Sequence, residues 1–264
     1  MENKFSKFIK YLGFFKLMVR ESYRGGTEKY DFSPLSISRM LILFFLPFTA
    51  YSLGFLPPFV IFLLAFPLFD FGNVLHVFIF PFFVMAEFLL FIITESLVPA
   101  VFIKALNIKC EEGEYDLSIK DKNFFMLALH ALLYRPPLML LGIFKLLPIR
   151  MIFLRLAGLK VGKTALIPGT ELIYDPYVTE IGEGTLLGGY VKIAGHLVEE
   201  KLVVKKVRIG NNCIIGADSL IFPGAVIEDD VIVGAKSLVT KDQVLQKGRI
   251  YGGIPAKEIG RKSK

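Results

Sequence analysis

A six-residue period in the second half of the chain limits its fold more than any other feature. From Ile209 an aliphatic side chain recurs at Ile215, Ile221, Ile227, Val233 and Val239. Neither the helical repeat of about 3.6 residues nor the strand repeat of about 2 gives that register. Four residues after each stands Cys213, Ser219, Ala225, Val231, Ser237 or Gln243, all but the last small or of modest size. The spacing also runs through Val161, Ile167 and Ile173, slips at Asp175-Pro176, resumes at Ile181, Leu187 and Ile193, and is recovered after a break at Val203. Each unit reads as a short strand and a tight turn, with three units to a coil and stacked coils pairing as parallel sheets. An all-β parallel β-helix is therefore expected over 159–264, with residues 245–264 as a C-terminal cap. Gly182, Gly210, Gly216 and Gly234, each following the aliphatic position, are expected to supply unusual backbone angles at the turns.

The first half is of another kind. The chain has 264 residues, 54% of them hydrophobic, with 26 Phe and no Trp, and the excess lies before residue 150. Residues 41–69 and 71–86 carry no charge, more apolar length than one bilayer crossing of about 20 residues needs. Four segments follow: 1–38, amphipathic and cytoplasmic or interfacial; 39–103, transmembrane helices; 104–158, a cytoplasmic loop and interfacial helices; and 159–264, the β-helix. Over 5–19, Phe5, Phe8, Ile9, Leu12, Phe15 and Val19 recur at helical spacing beside Lys4, Lys7 and Lys10, as in a helix lying on anionic headgroups.

Lys-bearing segments at the N-terminus and at 104–122 point to the cytoplasm for both, hence to an even number of crossings, two fitting best. Residues 123–148, interrupted by Arg135-Pro136-Pro137 and Lys145, suit an interfacial or re-entrant helical pair. Localisation is thus a multi-pass membrane protein with its β-helix in the cytoplasm. Glu87 and Glu95, two helical turns apart in an apolar run, either line a polar groove or face cations at the rim. His76 and His130 read as hydrogen-bonded structural residues. Net charge is +7, but the basic residues are dispersed without a nucleic-acid motif, so membrane lipids rather than nucleic acid are the expected partner. Cys110 and Cys213 lie in unlike segments and suggest no disulfide, and no cleaved targeting peptide is read.

The stretch from Gly195 to Lys257, with GHLVEE, VRIGNNCIIGADSLIFPGAVIEDDVIVGAKSLVTKD and GGIPAK, resembles the galactoside and maltose O-acetyltransferase branch of the hexapeptide-repeat acyltransferases. A wider likeness rests on the apolar segment, EEGEYDLS at 111–118, LRLAGLKVGKTALI at 154–167 and IYDPYVTEIGEGT at 173–185. That order is similar to the membrane-plus-β-helix unit of epsilon-poly-lysine synthetase. The resemblance implies a left-handed β-helix, a homotrimer, and acyl transfer from acetyl-CoA or another acyl thioester used as co-substrate, with no permanently bound cofactor.

Acyl transfer needs a base for the incoming hydroxyl or amine, and His is matched to that task near neutral pH. His196 is the sole His of the repeat half and stands where the six-residue register is lost. The resemblance carries the catalytic base onto it. It also implies that Ala217 and Ala235 touch the pantetheine arm and that Thr240, Lys241 and Lys257 meet nucleotide phosphates, although coil packing and solvated charge explain those residues equally well. Asp175, in the YDP break, either binds acceptor, orients His196 or simply starts a turn. Two other readings remain open. One is a non-catalytic membrane scaffold; the other, a γ-class carbonic anhydrase, needs three His around zinc, which one His per repeat domain does not supply. No metal site is expected.

Overall fold

A computed structural model describes residues 33–261; the amphipathic stretch expected over 5–19 lies outside them. Helix α1 (Pro34–Ala65) starts at Ser33, whose hydroxyl accepts the Ser36 N–H, with Pro34 in the first turn where no donor is needed. It runs unbroken through Pro47, Pro57 and Pro58. A turn at 66–73 leads to α2 (Val74–Ala105), which Asn73 caps and which contains Pro81 and Pro99. The prolines that made boundaries soft in the sequence thus sit inside continuous helices. At Gly54 the helices come so close that an added Cβ would stand 3.1 Å from Glu95 Cα.

Many large apolar side chains of this pair point outward, Phe44 at 60% and Phe82 at 77% exposure among them, far more than a water-facing surface normally carries. Three helical stretches, Pro34–Leu68, Val74–Ala105 and Lys122–Phe144, are long and apolar enough to cross a membrane. The third contains α3 (Lys122–Phe144), capped by Asp121 and ended by Lys145 in a left-handed conformation. It is far more buried within the chain than the first two, and α4 (Leu147–Leu156) follows it. Residues 123–148, expected as a helical pair, are instead almost entirely the single helix α3, which runs unbroken through Pro136 and Pro137, and α4 lies mostly beyond them.

The chain then winds through three sheets in rotation. The first holds β2 (Lys160–Val161), β4 (Thr179–Ile181), β9 (Val207–Ile209), β12 (Val226–Ile227) and β15 (Val244–Leu245), all parallel. The second holds β5 (Leu186–Leu187), β10 (Ile214–Ile215), β13 (Ile232–Val233) and β16 (Arg249–Gly252), also parallel, with β17 (Lys257–Arg261) returning antiparallel on its edge. The third holds β3 (Leu172–Ile173), β6 (Lys192–Ile193), β11 (Leu220–Ile221) and β14 (Leu238–Val239). Three six-residue units per circuit put Ile215 beside Val233, Ile221 beside Val239 and Ile209 beside Ile227.

The periodic positions are the core: Ile173, Leu187, Ile193, Ile215, Ile221, Val233, Val239 and Leu245 are wholly buried, each worth about 1.5–3 kcal/mol of apolar transfer. Cys213, Ser219, Ala225, Val231 and Ser237 fill the adjoining interior slots. Both cysteines are free thiols. The capping segment adds one more parallel strand, β16, before its hairpin.

Two expectations need correction. Gly182, Gly210, Gly216 and Gly234 do not hold the left-handed turn conformation; it falls three residues after each aliphatic position, at Tyr190, Asn212, Asp218, Asp230, Lys236 and Asp242 and at Gly184, Gly224 and Gly248. Those four glycines follow the strand, and at Gly182, Gly210 and Gly216 the coils stack closely: a Cβ on Gly182 would lie 2.6 Å from the Gly210 carbonyl, whereas one on Gly234 would meet nothing nearer than 3.5 Å. Val203 does not resume the register either. It lies on an antiparallel hairpin, and the parallel ladder resumes at β9.

The helical half is fastened beneath the first coil. Glu171, four residues after Ile167, takes an interior slot and is wholly buried. Arg150 of α4 meets it at 2.7 Å and also donates to the backbone carbonyls of Glu171 and Leu138. Beside this pair the Tyr134 hydroxyl of α3 donates to the Ile173 carbonyl at 2.8 Å.

Candidate active site

The break in the ladder after β6 is built rather than loose. Residues 194–206 leave the coil as β7 (His196–Val198) and return as β8 (Leu202–Val204). On the far side of β8 lies β1 (Gly113–Tyr115), pairing Gly113 with Val204. The EEGEYDLS segment is thus the third strand of a small antiparallel sheet that carries His196 at its start. The Glu112 carboxylate accepts the Lys206 N–H at 3.0 Å, adding a second tie from this linker.

Asp175 is 1% exposed and sits directly behind His196. His196 Nδ1 is 2.8 Å from one Asp175 oxygen and 2.7 Å from the other. The carboxylate also accepts the Gly195 N–H at 2.8 Å and the Tyr177 hydroxyl at 3.2 Å. The two-residue slip at Asp175-Pro176 is the short 3-10 turn Pro176–Val178, which turns Tyr177 back towards the carboxylate. Burial raises the carboxyl's proton affinity, but the His196 hydrogen bond and charge and the Gly195 N–H outweigh it, so the Asp175 pKa falls below its ordinary value. Burial first, then Asp175, pushes the Tyr177 phenol well above its usual range, so it remains a donor. Burial and neighbouring carboxylates push the Cys110 thiol up to about 12, leaving it unreactive near neutrality.

With Nδ1–H donated to Asp175, the imidazole presents Nε2 as a proton acceptor, and its side chain is 19% exposed. This is the arrangement of a general base held by a carboxylate. His130 is buried on α3, its ring 4.7 Å from that of Tyr177 and its Nε2 without a hydrogen-bond partner. The Asp175 carboxylate lies close enough to feel a charge on this ring. His76 accepts the Asp70 N–H at the 66–73 turn. Among the described residues no three His, Cys, Asp or Glu side chains converge as a metal ion requires.

The remaining expected site residues fall into two places. Thr240 and Lys241 follow β14 and share the corner of the His196 hairpin; Lys241 binds Glu199 of that hairpin at 2.9 Å, and Thr240 donates to the Gln243 side chain. Ala217 and Ala235 stack at the opposite end of the third sheet, both exposed, with Lys236 N–H bonded to the Ala217 carbonyl. Lys257 is exposed at the start of β17. The chain itself does not bring these two groups together. Neither the role of Tyr177 nor the strand β1 was read from the sequence, although YDPY at the slip and the EEGEYDLS motif marked the two segments.

Three rotating parallel sheets, broken once to carry a His–Asp pair, make up the repeat half, and its sequence is similar to hexapeptide-repeat acyltransferases. Residues 206–241 match the family described as the hexapeptide repeat of succinyl-transferase. Galactoside O-acetyltransferase of Escherichia coli (strain K12) is 34% identical over 95 residues, 33% of this chain and 46% of that protein. Delta-poly-L-ornithine synthetase of Acinetobacter baumannii (strain AB307-0294) is 26% identical over 110 residues, 41% of this chain and 8% of that one. A galactoside acetyltransferase solved in complex with coenzyme A is 21% identical, with a TM-score of 0.41 over 52% of this chain and 82% of that one. The chain spans less than two thirds of the length of these curated relatives.

Proposed function

We propose that this protein is a membrane-anchored acyltransferase that moves an acyl group from a thioester, CoA or carrier-bound, to a hydroxyl or amine acceptor. The observation carrying this reading is the contact of 2.7 Å between His196 and the buried carboxylate of Asp175. Nε2 removes the acceptor's proton as its oxygen or nitrogen attacks the thioester carbonyl. The tetrahedral adduct then expels the thiolate, which takes the proton back from His196. Of the roles open to Asp175, orienting His196 fits better than binding acceptor, because both its oxygens are already engaged within the chain.

The three sheets close a left-handed β-helix in this reading, and α1 and α2 cross the bilayer, supported by their length and outward apolar side chains. Both termini and the 104–122 segment face the cytoplasm, where thioesters are made. α3 and α4 form the interfacial pair, since α3 is packed under the first coil. Ala217, Ala235, Thr240, Lys241 and Lys257 serve the donor across an interface between copies, which joins the two groups that one chain keeps apart. A homotrimer supplies three such interfaces. Comparing the masses of the lipid and peptide pools in cells expressing the native protein or His196→Gln tests the activity. An acyl-sized mass present only with the native protein is the expected result, and its presence with both would leave the scaffold reading in its place.

A further inference from the structure

Where α2 ends against the repeat half, a cavity of about 310 Å³ opens between the last turns of α2 and α4 and the first coil. Lys104, Lys109, Arg155 and Lys160 line it, with Asn107 and Tyr177. Lys160 binds Glu180 at 2.9 Å. Among the described residues no carboxylate is within ion-pair distance of Lys104, Lys109 or Arg155. A cation in a helix's last turn offsets the carbonyl dipole there, which accounts for Lys104 and Arg155 one at a time. It does not account for their facing one concavity, nor for Lys109, which belongs to no helix. Like charges gathered around one hollow repel unless an anion sits between them.

The surroundings indicate what kind of anion. The cavity lies where the apolar surface of α2 stops, and Val101 and Leu106 beside it are 50% and 53% exposed. A ligand with a charged head in the cavity and hydrocarbon along α2 satisfies both surfaces. Arg155 offers the forked donors that suit phosphate oxygens, and two lysines add charge. We infer that this cavity binds the phosphate headgroup of a membrane lipid; the inference rests on α1 and α2 lying in the bilayer. Tyr177 connects it to the chemistry, lining the cavity while its hydroxyl donates to Asp175 at 3.2 Å. Gly158 keeps that wall close: its φ is +107°, and a Cβ there would lie 3.0 Å from Tyr177 Cα.

The full chain in phosphatidylcholine nanodiscs, with or without phosphatidic acid, provides the test, the lipid retained per chain being read by native mass spectrometry after release. One phosphatidic acid per chain is expected, with retention about tenfold weaker in Lys109→Gln and in Arg155→Gln. Both side chains are exposed, so neither substitution threatens folding. Lys145→Gln, an exposed cation at the end of α3, should retain lipid like the native chain. Equal loss in Lys145→Gln would reduce the effect to general attraction by an anionic surface and overturn the site. Displacement of the lipid by inorganic phosphate at matched concentration would make free phosphate the ligand and overturn the lipid source. A chain that enters the nanodiscs but retains no lipid overturns this inference alone, whereas one that never enters them overturns the bilayer reading as well.

Discussion

Arg150 and Glu171 meet at 2.7 Å with side chains 2% and 0% exposed, joining α4 to the first coil of the repeat half. Removing one partner of such a pair strands a buried charge. Arg150→Met should therefore destabilise the protein by about 3–5 kcal/mol, and Arg150→Met with Glu171→Leu should recover much of that loss. Recovery should be incomplete, because the guanidinium also serves the Leu138 and Glu171 carbonyls. Thermal unfolding of the two variants in detergent checks both statements.

Asp175→Asn should lower turnover by about two to four orders of magnitude with little change in donor affinity, since the amide no longer fixes the imidazole with Nε2 free. The variant should also abolish a pH effect. The Asp175 pKa is lowered in the folded chain, so its stabilising contribution is complete above the ordinary carboxylate value of about 4 and is lost as pH falls through the lower folded value. The difference in melting temperature between native protein and Asp175→Asn should hold from neutral pH down to about 5 and shrink in stronger acid.

Glu199 holds Lys241 and raises its pKa in the free chain, so a donor phosphate would compete with that carboxylate for the ammonium. Lys241→Ala should raise the donor KM with a smaller effect on kcat, while Glu199→Gln should lower it by releasing the lysine. Steady-state kinetics with a varied thioester separates the two, and a KM unmoved in both variants would leave Lys241 as a tie for the hairpin.

The outer face of the second sheet aligns Leu186, Ile214, Ile232 and Ile250 in register, with Leu166 bridged to Leu186. Leu166 is 64% exposed and Ile214 is 40% exposed. This column is the face expected to pack between copies. Native mass measurement in detergent should find a trimer, and Ile214→Glu should yield monomer; a native chain found only as monomer would refute the assembly.

The interior of the repeat half was legible because each six-residue unit turns one aliphatic and one small side chain inward, and neither helix nor ordinary strand repeats at that interval. His196 was legible for the converse reason, as a lone His where the interval fails. Glu171 carried a readable sign, a carboxylate where the other interior slots are small or apolar, but its partner Arg150 lies in another element and no period connects them. Tyr177 and β1 became visible only in space, because strand pairing between residues 113 and 204 leaves no mark on either local pattern. The turn glycines were misread since Gly serves both left-handed turns and close stacking, and sequence alone does not separate these uses.

Turnover by purified His196→Ala, measured beside its donor affinity and oligomeric state, bears most directly on the proposed chemistry. With His196 as the base, turnover should fall by about two to four orders of magnitude while donor binding and assembly stay as they are in the native protein. A correctly assembled His196→Ala protein that retains full activity would contradict it.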